Sequence, residues 1–87
     1  MKAGAEQISR LLKTAGGQVQ GILRMVEEDR YCVDILRQLQ ACQAILRRAQ
    51  REILEAHLRS CVCQAFSENE GHEKIEEIIG LLKSTEY

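Results

Sequence analysis

The chain has 87 residues, no proline, few aromatic residues and a formal net charge of −1. That fits one small domain, residues 1–87, with limited capacity for a core of its own and no global attraction to nucleic acid. No apolar run approaches the roughly 18 residues of a membrane span, and nothing resembles a secretory signal, so the four cysteines point to a reducing cytoplasm and to metal or redox chemistry rather than to structural disulfides.

The first predicted element is a helix from about Ala5 to Glu28. Ile8, Leu11, Leu12, Val19, Ile22, Leu23 and Val26 recur along it at helical spacing. Gly16 and Gly17 interrupt the pattern, each at a cost of up to about 1 kcal/mol relative to alanine; consecutive glycines mark a kink or a close approach to another helix. The run Glu27-Glu28-Asp29-Arg30 reads as a connection, with Asp29 as the N-cap of the second helix.

The second predicted helix is long, from about Arg30 to Phe66. Its stripe takes in Cys32, Leu36, Leu39, Cys42, Leu46, Ala49, Ile53, His57 and Cys61, spaced mostly by three or four, with no glycine or proline to break it. A stripe of that length suits an antiparallel helical bundle completed by further copies of the chain. Residues Ser67 to Gly71 form a polar turn, and a short third helix from about His72 to Ser84 carries Ile75, Ile78, Ile79 and Leu82 on one face. The fold class is all-α, with three helices per chain and no strands.

Three residues on the second helix carry the chemistry. His57 and Cys61 are four apart, one turn along the same face. Cys32 lies 25 residues before His57, which puts it about 20° from the same azimuth but roughly 37 Å away along the helix. It shares the face and cannot reach the pair within its own chain, whereas an antiparallel copy of the helix brings it there. The result is two sites, each of one imidazole and two thiolates and each shared between two chains. Such donors suit Cu(I) or Zn(II). Structural zinc normally takes four ligands, so three favour Cu(I). A His-x-x-x-Cys pair taken alone also reads as a core cysteine beside a half-buried histidine; Cys32 on the same stripe is what raises the metal reading.

The remaining polar side chains read more plainly. Cys42 lies off the ligand stripe and is a small core residue. Cys63 points away from Cys61 and is either an exposed reactive thiol or packed against the third helix. His72, beside the turn, is solvent-exposed. Arg47, Arg48 and Arg51 cluster in mid-helix, with a looser group of Arg10, Lys13 and Arg24 on the first helix. Such charges are ordinarily a solvated face, but an oligomer that aligns several copies directs them at phosphates, with the Gln18 amide adding a hydrogen bond. No nucleophile–base–orienter set, glycine-rich phosphate loop or cofactor motif suggests an enzyme.

The stretches Gly17-Gln-Val-Gln-Gly21-Ile22, Met25-Val-Glu-Glu-Asp-Arg-Tyr31-Cys32-Val-Asp34 and His57-Leu-Arg-Ser-Cys61 together resemble the copper-sensing repressor family, the CsoR/RcnR/FrmR-like transcriptional regulators. The resemblance implies three-helix subunits that form an antiparallel four-helix-bundle dimer and then a tetramer. It implies a Cu(I)-responsive repressor that binds operator DNA in the apo form and releases it when Cu(I) binds. By position, Cys32 of one protomer and His57 and Cys61 of the other would hold the metal. Tyr31 and Glu77 match the positions that hydrogen-bond the far nitrogen of the ligand histidine, and Lys13, Gln18, Arg48 and Arg51 are the retained DNA-contact candidates. The nickel and cobalt branch adds an N-terminal histidine, the formaldehyde branch lacks the last cysteine, and the persulfide branch replaces the histidine. The copper branch therefore fits best. Two departures stand out: Leu11 occupies a position where relatives commonly have arginine, and Gly16 one where many have a charged residue. Two alternatives stay open: a persulfide or thiol sensor using Cys32 and Cys61, and a Cu(I)-binding relative with weak or no DNA binding.

Overall fold

The computed structural model describes residues 4–68 and 71–84 and is built of three helices, α1 (Ala5–Glu27), α2 (Cys32–Glu68) and α3 (Gly71–Ser84). No strand occurs among the described residues. The predicted turn around Asn69 and Glu70 lies outside them.

α1 and α2 form an antiparallel hairpin. Ala15, Ile22 and Cys42 are the buried centre of its seam, with Ile35 and Ile45 packed against them, and Ile8 and Ala49 are buried as well. The Cys42 thiol donates across the seam to the Ala15 carbonyl at 3.6 Å, so Cys42 is the core residue expected of it. Small residues stand at the middle of the seam, where Ala15 and Cys42 come close enough for that bond.

The connection differs from the sequence expectation. Asp29 is not the N-cap of α2. It adopts a left-handed conformation, φ 54°, while its N–H bonds the Val26 carbonyl and the Arg30 N–H bonds the Met25 carbonyl. This pair of bonds, one nested in the other, closes the C-terminus of α1 as a Schellman motif, with Asp29 in the place glycine usually takes. Aspartate tolerates that conformation better than most side chains. α2 then starts from Tyr31, whose carbonyl accepts from the N–H groups of Asp34 and Ile35. Gly16 and Gly17 interrupt nothing: α1 is continuous through them, and a Cβ at either would meet no atom within 4 Å.

α2 outruns α1, and α3 folds back along its last turns, far enough to bring Glu77 against His57. The molecule extends 58 × 26 × 12 Å, so it is one helix thick, and each helix has a face that nothing in the chain can cover. Leu12, Val19, Leu23 and Val26 on α1 and Leu36, Leu39, Leu46 and Ile53 on α2 are exposed in consequence. The accessible surface is 6551 Å², against about 5200 Å² for a compact monomer of this mass. No helix among the described residues is long and apolar enough to cross a membrane.

Candidate metal centre

α2 is uninterrupted between His57 and Cys61, so its pitch sets their meeting. The Cys61 sulfur lies 3.7 Å from Nδ1 and 3.4 Å from Nε2 of His57. Cys61 is buried at 4% exposure, whereas the His57 side chain keeps 34%. Two ligands at about 2.0 and 2.3 Å from a shared ion, at trigonal or tetrahedral angles, are themselves roughly 3.5–3.7 Å apart. The sulfur lies alongside the ring, nearer Nε2 than Nδ1, so the pair is close enough to share one soft cation after a turn of the imidazole, with no rearrangement of α2.

α3 supplies the orienting group. Glu77 Oε1 is 3.3 Å from His57 Nε2, and its other oxygen, Oε2, accepts from Lys74 Nζ at 3.4 Å. The bond from His57, and then the Lys74 ammonium, hold the Glu77 carboxyl below its ordinary value. A carboxylate acceptor at Nε2 favours a ring proton on that nitrogen, and in the neutral ring such a proton leaves the Nδ1 lone pair free. Outer partners of this kind fix the ring orientation of metal-binding histidines. Beside the imidazole, Gln50, Ile53, Leu54, Glu77 and Leu81 join His57 in lining an apolar groove of about 440 Å³.

One chain presents only part of the centre. Among its described residues no three potential ligands converge. Cys32 is exposed at the opposite end of α2, and Tyr31, beside it, is 68% exposed. The structure thus brings Glu77 to His57 and leaves Tyr31 and Cys32 remote from both. Cys63 is exposed, as Cys32 is, and none of the four cysteines is in a disulfide; His72 is exposed too. Of the basic candidates, Lys13 and Arg51 are exposed, while Arg48 is paired with Glu52 at 3.4 Å. Gln18 is half-buried, and its Oε1 is buried with no hydrogen-bond partner, because it stands on the seam side of α1 between Ala15 and Ile22. Sequence reasoning missed Lys74; its signal is a lysine three residues before a glutamate, a pair that meets on any helix.

An all-helical chain with a histidine and a cysteine in contact one turn apart on its longest helix invites comparison with helical metal-binding proteins. The metal-sensitive transcriptional repressor family matches residues 5–84, and the chain is a member of that family. It is 46% identical over 74 residues to the copper-sensing transcriptional repressor CsoR of Mycobacterium ulcerans, a match that covers 85% of this chain and 63% of that protein. This chain thus spans less than two thirds of that relative's length. The crystal structure of the copper-sensing repressor CsoR with Cu(I) from Geobacillus thermodenitrificans NG80-2 superposes with a TM-score of 0.83 at 42% identity, covering 91% of this chain and 82% of that one. The nickel-responsive regulator InrS superposes with a TM-score of 0.86 at 26% identity, covering 97% and 94%. The fold is thus common to sensors of different metals, and the higher sequence identity lies on the copper side.

Proposed function

We propose that this chain is the subunit of a cytoplasmic Cu(I)-responsive transcriptional repressor. In this reading an antiparallel second copy covers the exposed stripe of α2 and brings its own Cys32 to His57 and Cys61. The observation that carries the reading is the His57–Cys61 pair, spaced for one ion and oriented by Glu77, on a helix whose uncovered stripe ends in Cys32. The excess surface of the lone protomer supports assembly, first as a four-helix dimer and then as a tetramer. Two thiolates and one imidazole select Cu(I), and binding releases protons because the thiols must ionise.

The residues divide the work. Cys61, buried, supplies a thiolate in a dry setting. His57 presents Nδ1 while Glu77 holds Nε2. Cys32 and Tyr31 come from the neighbouring copy, Tyr31 beside the same nitrogen. Cu(I), when bound, ties the two chains together through these ligands. Because Glu77 stands on α3, the orientation of His57 is linked to the position of that helix. Operator DNA would be held through phosphates by Lys13, Arg48 and Arg51 in the apo state only, with Gln18, whose Oε1 is buried in the seam, able to assist only through its amide N–H groups. For Cu(I) to release it, the metal and DNA must favour different arrangements of the assembly.

A mixing experiment tests the shared site. Cys32→Ala and Cys61→Ala each lose tight Cu(I) binding alone. Unfolded and refolded together, they regain about one quarter of the sites, the statistical share for a twofold dimer that carries one intact site per mixed pair. No recovery means that the ligands do not come from two chains. X-ray absorption of the Cu(I) protein should show two sulfurs and one nitrogen, and four sulfurs would end the assignment. Anisotropy titrations on the gene's own upstream DNA test the regulator: tight, salt-sensitive apo binding, weakened about 5–150-fold by Cu(I). Absence of specific apo binding at low salt would leave a copper-binding protein without a DNA partner. The exposure of Cys32 also suits a persulfide-sensing reading; His57→Ala should cripple the copper response and leave sulfur chemistry largely intact.

A further inference from the structure

Glu77 is held from two sides, and only one of them faces the metal centre. Oε1 meets His57 Nε2 at 3.3 Å while Oε2 meets Lys74 Nζ at 3.4 Å. Lys74 sits in the first turn of α3, one turn before Glu77. The Lys74 and Glu77 side chains are 32% and 44% exposed, so the pair lies at the surface. Lys74 and Lys83 are the two lysines of α3, and only Lys74 lies within a turn of Glu77. Glu73, four residues before Glu77, repels it.

We infer that Lys74 is a positioning residue for the sensor: by holding Oε2 on the surface of α3 it keeps the Glu77 carboxylate with Oε1 aimed at Nε2, and so selects the His57 tautomer that leaves Nδ1 unprotonated. This rests on the copper-sensing reading for its purpose but not for its geometry. An ammonium bound to one oxygen biases the carboxylate toward the rotamer in which its second oxygen faces Nε2. Without the anchor, Glu77 keeps its charge but samples other rotamers, turning away from Glu73 and into water, and the imidazole proton is free to exchange between nitrogens. An exposed ion pair contributes little to stability; the part assigned to Lys74 is orientation.

The decisive measurement needs no copper. The chain has two histidines, His57 and His72, so a ring-¹⁵N NMR spectrum of the apo assembly in a His72→Gln background reports His57 alone. With Lys74 present, the two ring nitrogens should be widely split, with the proton on Nε2. In Lys74→Met, and equally in Lys74→Gln, the two resonances should move toward each other as the tautomers mix; Lys74→Arg should restore the split. The Cu(I)-induced loss of DNA affinity should shrink roughly tenfold in Lys74→Met, the low end for partners outside the ligand set. A His57 ring spectrum unchanged in both Lys74→Met and Lys74→Gln overturns the inference, whatever the copper response does. Conversely, if the unmodified protein fails to bind Cu(I), the functional reading falls while the tautomer result stands.

Discussion

The two ends of α2 are held by different kinds of contact. Along its first half, α1 is joined to it by a seam of Ala15, Ile22 and Cys42 that excludes water. Along its last turns, α3 has no buried residue among those described, and Ile75, Ile79 and Leu82 stay exposed. What links α3 to His57 is polar, through Glu77, which Lys74 also contacts. An apolar seam is insensitive to ligand and largely to pH, whereas a polar clamp on a thinly packed helix is a low-stability element that a ligand can bias. The chain thus joins a hairpin with a buried seam to a third helix that is held with no buried residue of its own among those described, and the His57–Glu77 contact lies on that thinner junction.

The most damaging way to break that contrast is to open the seam. Ile22→Ala, at a position 8% exposed, should cost about 2–5 kcal/mol, read as a fall in the urea midpoint; Ile79→Ala on α3, at 39% exposure, should cost under about 1 kcal/mol, as for surface changes generally. Equal costs would mean that α3 is as firmly packed as the hairpin. Glu77→Gln should do the reverse. It should leave the urea midpoint within about 0.5 kcal/mol and reduce Cu(I) affinity or the Cu(I) response about 10–100-fold, measured by competition with a Cu(I) chelator.

Acid should act on α3 first. The Glu77 carboxyl is held below its ordinary value of 4.5 by His57 and then Lys74. Its contribution is therefore present above that value and is lost as pH falls through the lowered one. Amide exchange in α3 should speed up as pH drops below the ordinary carboxylate range, after correction for intrinsic rates, while protection at Ile22 and Cys42 persists. Simultaneous loss at both ends would contradict the separation.

The smallest effect sharpens the picture of the outer face. Neither Gly16 nor Gly17 has an atom within 4 Å of a would-be Cβ, so alanine at Gly17 should add up to about 1 kcal/mol to the thermal stability of the chain. Gly16 falls on the exposed line of Leu12, Val19, Leu23 and Val26. If a second copy covers that line, Gly16→Ala should gain less than Gly17→Ala, and sedimentation should show weaker self-association. Identical gains would place the interface elsewhere.

The three helices were legible from apolar residues at helical spacing, because a helix shows its period in its own sequence. The meeting of His57 and Cys61 was legible for the same reason, as was the placing of Cys32 on their stripe at a distance no single chain can bridge. The turn before α2 was not. Asp29 suits an N-cap and a left-handed helix terminus about equally, and the bonds of Arg30 to Met25 and Asp29 to Val26 decide between them. The sequence offers Gln18 as a hydrogen-bond donor to phosphates; its place on the seam depends on which face of α1 meets α2. Glu77 entered only through family resemblance, and Lys74 not at all. Local spacing fixes neighbours within a turn or two, but a contact across twenty residues depends on where α3 comes to rest on α2, and that is settled by packing between helices rather than by the period of either one.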